Sequence, residues 1–280
     1  MRISACQMVS GTDPEQNVLD AINLIAASAE SDAELIVLPE HFAMLGNDED
    51  NLKIAETFED GPIQEAIRMA AVRHSLWIVA GSIPLKSNDD THYINASIVY
   101  NPNGDVAARY DRIHLFRYHR GNMEAYDERH QVQAGQQPVS FKMTTWDGQD
   151  YSVGLSMGFD LRFPELFRSL NQPDLIVLPA TFTETTGRAH WATLLAARAI
   201  ENQCYLVAAA QGGTHQCGRR TWGHSRLNDP WGRTMSELTT GQGIVIGDID
   251  LAQIRAVREM LPALSSRVLY TSVERTDGQR

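Results

Sequence analysis

Short apolar runs alternating with helix-patterned segments constrain this chain most. Glu34 to Leu38 and Leu175 to Leu178 are brief, rich in apolar residues and each followed by proline. Runs of that length and composition read as buried strands, of the kind found in parallel sheets. Pro14 to Glu30, opened by Asp13-Pro14, reads as an amphipathic helix. Arg188 to Gln203 reads as another, with Trp191, Leu194, Leu195, Ala199 and Ile200 at helical spacing. Asn103-Gly104 and Asp147-Gly148 are hairpin turns. About a dozen strands alternating with helices and hairpins imply an α/β protein with a mixed sheet or sheets.

The stretch from Gly154 to Leu166, GLSMGFDLRFPEL, is the expected seat of chemistry. An apolar strand from Val153 to Met157 gives way to a tight turn at Gly158, and Phe163-Pro164-Glu165 starts a helix. A strand that bends sharply into a helix presents the residue at the bend, the geometry that serves a nucleophile in other folds. Glycine cannot be one. Asp160 and Arg162, on either side of Leu161, are expected to pair with each other and brace the turn, with a substrate-carboxylate role for Arg162 as the less favoured alternative. Glu40, just after the Glu34 run, lies where open α/β sheets place their sites.

Between Arg117 and Pro138 the pattern dissolves into charges, aromatics and glycines, and the segment reads as a long loop over a site or partner contact. Glu128 falls inside it. The tail carries Leu261-Pro262-Ala263-Leu264 and the hydrophobic Val268-Leu269-Tyr270, expected to dock on the body or on another subunit, and ends in a polar stretch from 271 to 280.

At 280 residues and 43% hydrophobic, the chain can bury a substantial core, and residues 1–270 read as a single domain without a linker or repeat. The formal charge of -11 argues against a nucleic-acid surface. No apolar run is long enough for a membrane span, and the start lacks a signal core, so a soluble, cytoplasmic protein is expected. Cys6, Cys204 and Cys217 show no pairing or metal-ligand spacing and read as reduced thiols. Cys204 reads as packing and Cys217 as a loop thiol, with a rescue nucleophile as the remote alternative. His114, His190 and His224 have no zinc-binding spacing and read as aromatic or polar packing, as Trp191 reads as core or interface.

Five ordered blocks resemble the nitrilase, or carbon-nitrogen hydrolase, superfamily from about Arg2 to Tyr270. They are LPEHF at Leu38 to Phe42, YDRIHLF at Tyr110 to Phe116, the Gly154 stretch, HWATLLAARAIENQCYLVAAAQ at His190 to Gln211, and GHSRLNDPWG at Gly223 to Gly232. The branch containing the deaminated-glutathione and ω-amidases is the most similar. The resemblance implies a four-layer α-β-β-α sandwich, commonly paired through its helices into a homodimer or higher homo-oligomer, with no cofactor and no metal.

It also implies a site in which a glutamate is general base, a lysine steadies the tetrahedral intermediate and a cysteine attacks the amide or nitrile carbon. Glu40 matches the base and Glu128 the supporting glutamate. Arg112 stands at the lysine position and Gly158 at the cysteine position. Without the thiol the covalent route is lost, and a planar guanidinium replaces a compact ammonium. The expectation is a protein lacking ordinary amidase or nitrilase activity, retaining a pocket for a small amide or carboxylate or serving as a subunit. The alternative is an active amidase in which Glu40 directs water at a small amide while Arg112 polarises its carbonyl. In either case Glu40, Arg112, Glu128 and Gly158 are expected to converge on a small cavity.

Overall fold

The computed structural model describes residues 1–120 and 124–268. Its elements run β1 (Arg2–Gln7), α1 (Pro14–Glu30), β2 (Leu35–Val37), α2 (Asp48–Lys53), α3 (Pro62–His74), β3 (Trp77–Val79), β4 (Ile83–Lys86), β5 (Tyr93–Tyr100) and β6 (Val106–Asp111). Then come β7 (Arg117–Arg120), β8 (Glu124–Asp127), β9 (Val132–Gln133), β10 (Ser140–Thr144), β11 (Asp150–Leu155), α4 (Pro164–Ser169), β12 (Leu175–Ala180), α5 (Glu184–Asn202) and β13 (Tyr205–Ala210). The described chain closes with β14 (Ser225–Asn228), β15 (Thr234–Leu238), β16 (Gly243–Asp248) and α6 (Leu251–Met260).

Two mixed sheets form the frame. The first runs β16-β1-β2-β3-β5-β4, with β6 and β9 also paired to β5; the second runs β10-β11-β12-β13-β14-β15. At the centre of each, three strands are parallel: β1, β2 and β3 in one, β11, β12 and β13 in the other. These central strands are buried nearly throughout, which is why their sequences read as continuous apolar runs without alternation.

One core cluster joins the sheets face to face, bringing Leu35, Val37 and Val79 together with Val153, Val177 and Val207. A second fills the outer side of the first sheet, where Ile25 of α1 and Ile67 of α3 pack against Ile36 and Ile78. Phe167 of α4 and Trp191 and Leu195 of α5 cover the second sheet. The result is the α-β-β-α layering that the resemblance implies.

Local chemistry sets the boundaries. Asp13 caps α1 by accepting from the backbone N–H groups of Glu15 and Gln16, and Pro14 supplies the first helical residue. Asn103-Gly104 turns β5 into β6, with Gly104 in the left-handed region at φ 83°. The chain from Leu76 to Pro84 is broken at Gly81, φ 44°, where a Cβ would lie 2.1 Å from the Pro39 carbonyl oxygen. That approach separates β3 from β4. The stretch from Arg117 to Pro138, expected as irregular, instead holds the antiparallel β7–β8 pair, a 3-10 turn over Glu128–His130, and β9. Of the expected tail contact, Leu264 is buried and Val268 exposed; Leu269 and Tyr270, with the polar 271–280 stretch, lie outside the described residues.

Candidate active site

Each expected site residue follows a strand or a short turn, so the sheets themselves aim the side chains at one place. Glu40 comes three residues after β2, and its carbonyl accepts hydrogen bonds from Thr181 Oγ1 at 3.1 Å and Gln211 Nε2 at 3.2 Å. Those donors stand at the carboxyl ends of β12 and β13. Arg112 follows β6, its N–H bonded to the Asn95 carbonyl at 3.1 Å and its carbonyl to the Gly135 N–H at 2.9 Å. Glu128 opens its 3-10 turn and exchanges backbone and side-chain bonds with Phe116: Glu128 N–H donates to Phe116 O at 3.1 Å, and Phe116 N–H to Glu128 Oε2 at 2.6 Å.

The three side chains form one buried ionic cluster. Arg112 Nη1 donates to Glu40 Oε1 at 2.6 Å, and its other terminal nitrogen donates to Glu128 Oε2. Asn95 Nδ2 adds a bond to Glu40 Oε1 at 3.2 Å, and His41 Nε2 stands 3.9 Å from the same oxygen. Arg112 Nε is buried without a hydrogen-bond partner. Burial pushes both glutamate carboxyls above the usual range, because one guanidinium shared between them offsets only part of the desolvation cost. The two acids hold Arg112 firmly protonated against that same burial.

Gly158 begins the 3-10 turn Gly158–Arg162 with φ 47°, in the left-handed region. A Cβ placed on it would lie 2.5 Å from Glu40 Oε2, inside van der Waals contact. Glu40 therefore occupies the space into which a side chain at the bend would project. The four positions converge as expected, with one difference. A cavity of about 620 Å³ is lined by Glu40, Arg112 and Glu128, whereas Gly158 lies behind the Glu40 carboxylate and does not face it.

Asp160 and Arg162 do not pair with each other, correcting the expected ion pair. Fully buried Asp160 accepts from Tyr110 Oη at 2.6 Å, from the Met157 N–H at 2.9 Å and from the His114 N–H at 3.2 Å, and it also holds His114 Nδ1 at 2.7 Å. Arg162 points the other way, into the cavity wall. It lies over the Phe182 ring at 5.2 Å and the Phe159 ring at 5.8 Å, with His190 Nδ1 at 3.2 Å. It makes no carboxylate ion pair among the described residues.

The other tempting residues are resolved by packing. His114 stacks on Phe163 at 3.7 Å between centroids and His224 on Trp222 at 4.3 Å, while buried Trp191 donates its indole N–H to the His224 carbonyl at 2.8 Å. Cys6 and Cys204 are buried, and burial pushes the Cys6 thiol up to about 12 and that of Cys204 higher still. Cys217 lines the cavity beside Arg219, Arg220 and Thr221. Sequence reasoning missed Asn95, whose signal was a lone buried amide in the otherwise apolar strand YINASIVY. It also missed the Asp160 network and the Thr183–Thr186 segment bordering the cavity.

Two face-to-face mixed sheets flanked by helices, with an acid–arginine–acid cluster gathered where their strands end, define an α-β-β-α sandwich of the nitrilase type. The chain belongs to the carbon-nitrogen hydrolase family, whose model matches residues 2–259. It is 36% identical over 269 residues to the deaminated glutathione amidase of Synechocystis sp., covering 95% of this chain and 97% of that one. The deaminated glutathione amidase of Yersinia enterocolitica is 33% identical over 275 residues, covering 97% and 94%. Among solved structures, the Caenorhabditis elegans NitFhit protein superposes with a TM-score of 0.86 at 36% identity, over 95% of this chain and 64% of that longer one. A CN-hydrolase superfamily protein of Xanthomonas campestris gives a TM-score of 0.84 at 27% identity, covering 98% and 99%.

Proposed function

We propose that this chain keeps the carbon-nitrogen hydrolase fold without the thioester route, and that its cavity binds a small molecule carrying a carboxylate or an amide. The observation that carries the reading is the Glu40 carboxylate resting where a side chain at position 158 would project. With glycine there, the bend supplies no sulfur to form an acyl-enzyme. Arg112 commits both terminal nitrogens to Glu40 and Glu128, leaving neither free to meet a developing oxyanion.

The cavity is still suited to a ligand. Its volume is in the range of small-molecule sites, and its inner end offers carboxylates that accept from an amide NH₂. Its wall offers the guanidinium of Arg162 backed by two aromatic faces, and the amino end of α5 borders it at Thr183 and Glu184. An amide at the inner end and a carboxylate at Arg162 match this polarity. Deaminated glutathione, named for the relatives, is a molecule of that kind, and we propose that it or a smaller analogue is held. The same reading has two copies of the chain pairing through α5, as the family resemblance implies.

The test is incubation of pure protein with deaminated glutathione and simple ω-amides. Release of ammonia should not exceed the blank, no acyl adduct should be seen by mass spectrometry, and calorimetry should detect ligand binding that Arg162→Met weakens. Turnover abolished by Glu40→Gln would overturn the reading in favour of water attack directed by Glu40.

A further inference from the structure

Part of the wall of the cavity at Glu40 is a loop after β13, in which Cys217 to Thr221 are lining residues. The loop is a small hairpin. Thr214 and Arg220 face each other across an isolated bridge, Thr221 N–H donates to Gly213 O at 2.9 Å, and the tip reverses through His215 N–H to Arg219 O at 2.9 Å and Gly218 N–H to His215 O at 2.8 Å. From Gly213 to Arg220 one residue is buried: His215, 3% exposed. The other side-chain ties of the tip lie in solvent, where they are worth little: Gln216 Oε1 accepts from Thr12 N–H and Oγ1, and Arg220 pairs with Glu184 at 2.9 Å. The hold of the tip on the body therefore rests chiefly on one imidazole.

That ring is held in a single form. Its Nδ1 meets the Ser10 carbonyl at 2.8 Å, and because a carbonyl only accepts, Nδ1 carries the proton. Its Nε2, 2.6 Å from Thr221 Oγ1, accepts the hydroxyl proton, and that oxygen accepts in turn from Gly213 N–H at 3.3 Å. A proton added at Nε2 would face a hydroxyl that already donates to it, so the bonds joining His215, Thr221 and Gly213 must rearrange. Burial holds the imidazole below its ordinary 6.5; the Ser10 carbonyl offsets part of this and Arg219 adds to it. Ser10, Gly11 and Thr12, the segment beneath the ring, carry no charge. On the loop itself Arg219 is the charged group acting on the ring, Arg220 is turned to Glu184, and the titratable Cys217 lines the cavity. An open loop returns the ring to water, so opening takes up one proton. The closed form is fully favoured above 6.5 and loses ground as pH falls below it.

We infer that the loop from Gly213 to Thr221 is an acid-released latch on the cavity, in which protonation of His215 frees the tip from Ser10 and Thr221 and withdraws Cys217 to Arg220 from the wall. That the latch governs ligand binding rests on the reading of the cavity as a ligand site, whereas the latch itself does not.

The experiment is hydrogen exchange of the full chain without ligand, read by NMR at the His215, Gly218 and Thr221 amides and corrected for the intrinsic pH dependence of exchange. Protection should be level above 6.5 and fall by about tenfold per pH unit below it, the slope of one proton. The ring-nitrogen shifts of His215 should report the Nδ1–H form at neutral pH and protonation over the range in which protection falls. His215→Asn, whose amide donates to Ser10 but takes up no proton, should lose the slope, and His74→Gln on α3 should keep it. Protection that stays level down to about pH 5, protection that falls while the ring stays neutral, or an Asn variant as pH-sensitive as the wild type would overturn the inference. An Asn variant unprotected at every pH would support the ring as the tie, with the wild-type ring shifts then carrying the test of its release by acid.

Discussion

At Gly158 two constraints coincide: a left-handed backbone and a carboxylate in the space that a Cβ would take. Gly158→Cys alone should therefore destabilise the protein by about 2 kcal/mol, from left-handed strain and overpacking together. Arg112 holds Glu40 in place, so Arg112→Lys, which removes the fixed fork, should let the carboxylate retreat. In a double-mutant cycle by urea unfolding, the pair should be non-additive by about 1 kcal/mol in the stabilising direction; additive costs would show that Arg112 does not set the position of Glu40. The cluster also fixes a pH response. Glu40 is held above its ordinary 4.5, so the folded state keeps a proton that the unfolded chain has released. Its contribution is present below 4.5 and lost as pH rises through the folded value. Relative to Glu40→Gln, the wild-type protein should lose stability from about pH 4.5 upward; a flat difference across that range would refute the assignment. The sequence showed which residue types occupy the four positions, through the LPEHF, YDRIHLF and Gly154 blocks. It did not show that Glu40 fills the space at the bend, because that depends on Arg112 reaching across from another strand.

Among the elements, the bend is held chiefly by Asp160. This one carboxylate receives the phenol at the end of β6, the N–H entering the turn after β11, and the backbone N–H of His114, which ties the two sheets together behind the site. Asp160→Ala should cost about 3 kcal/mol, since several buried donors lose their only acceptor. Chemical denaturation measures this, and a loss below about 1 kcal/mol would mean that water replaces the carboxylate. From sequence, proximity suggested Arg162 as the partner of Asp160. Residues two apart on a tight turn diverge, however, and the partners came from Tyr110 and His114 about fifty positions away. Elements with strong local signals were legible: Asp13-Pro14 opens α1, and Asn103-Gly104 turns β5 into β6. The β7–β8 pair was not, because its sequences, RYHR and EAYD, lack the run of alternating apolar residues that marks a half-buried strand.

Over the whole molecule, alternating strands and helices established an α/β fold, but two sheets and their order needed long-range pairing that periodicity does not encode. Arg2–Gln7, for example, pairs with Gly243–Asp248 at the other end of the described chain. The same limit applies to assembly, where the layers leave an apolar region unpartnered. Ile200 near the end of α5 is 51% exposed, and the chain at Gly232 passes so closely that a Cβ there would lie 2.6 Å from Ile200 Cδ1. Trp231, beside that glycine, is 43% exposed. Gln203, which caps α5, donates from Nε2 to the Leu261 carbonyl at 2.6 Å, bringing exposed Met260 and Leu261 to the same end of the helix. Large apolar side chains grouped on one helix end, on a chain of net negative charge, are the composition of an interface core. Sedimentation at micromolar concentration should therefore find a dimer. Ile200→Asp should weaken it by at least about thirtyfold, the effect of a central anchor, while Leu19→Asp, an equally apolar exposed site on α1, should leave it intact. A monomer in the unaltered protein, or equal sensitivity at both positions, would place the self-association surface elsewhere or remove it.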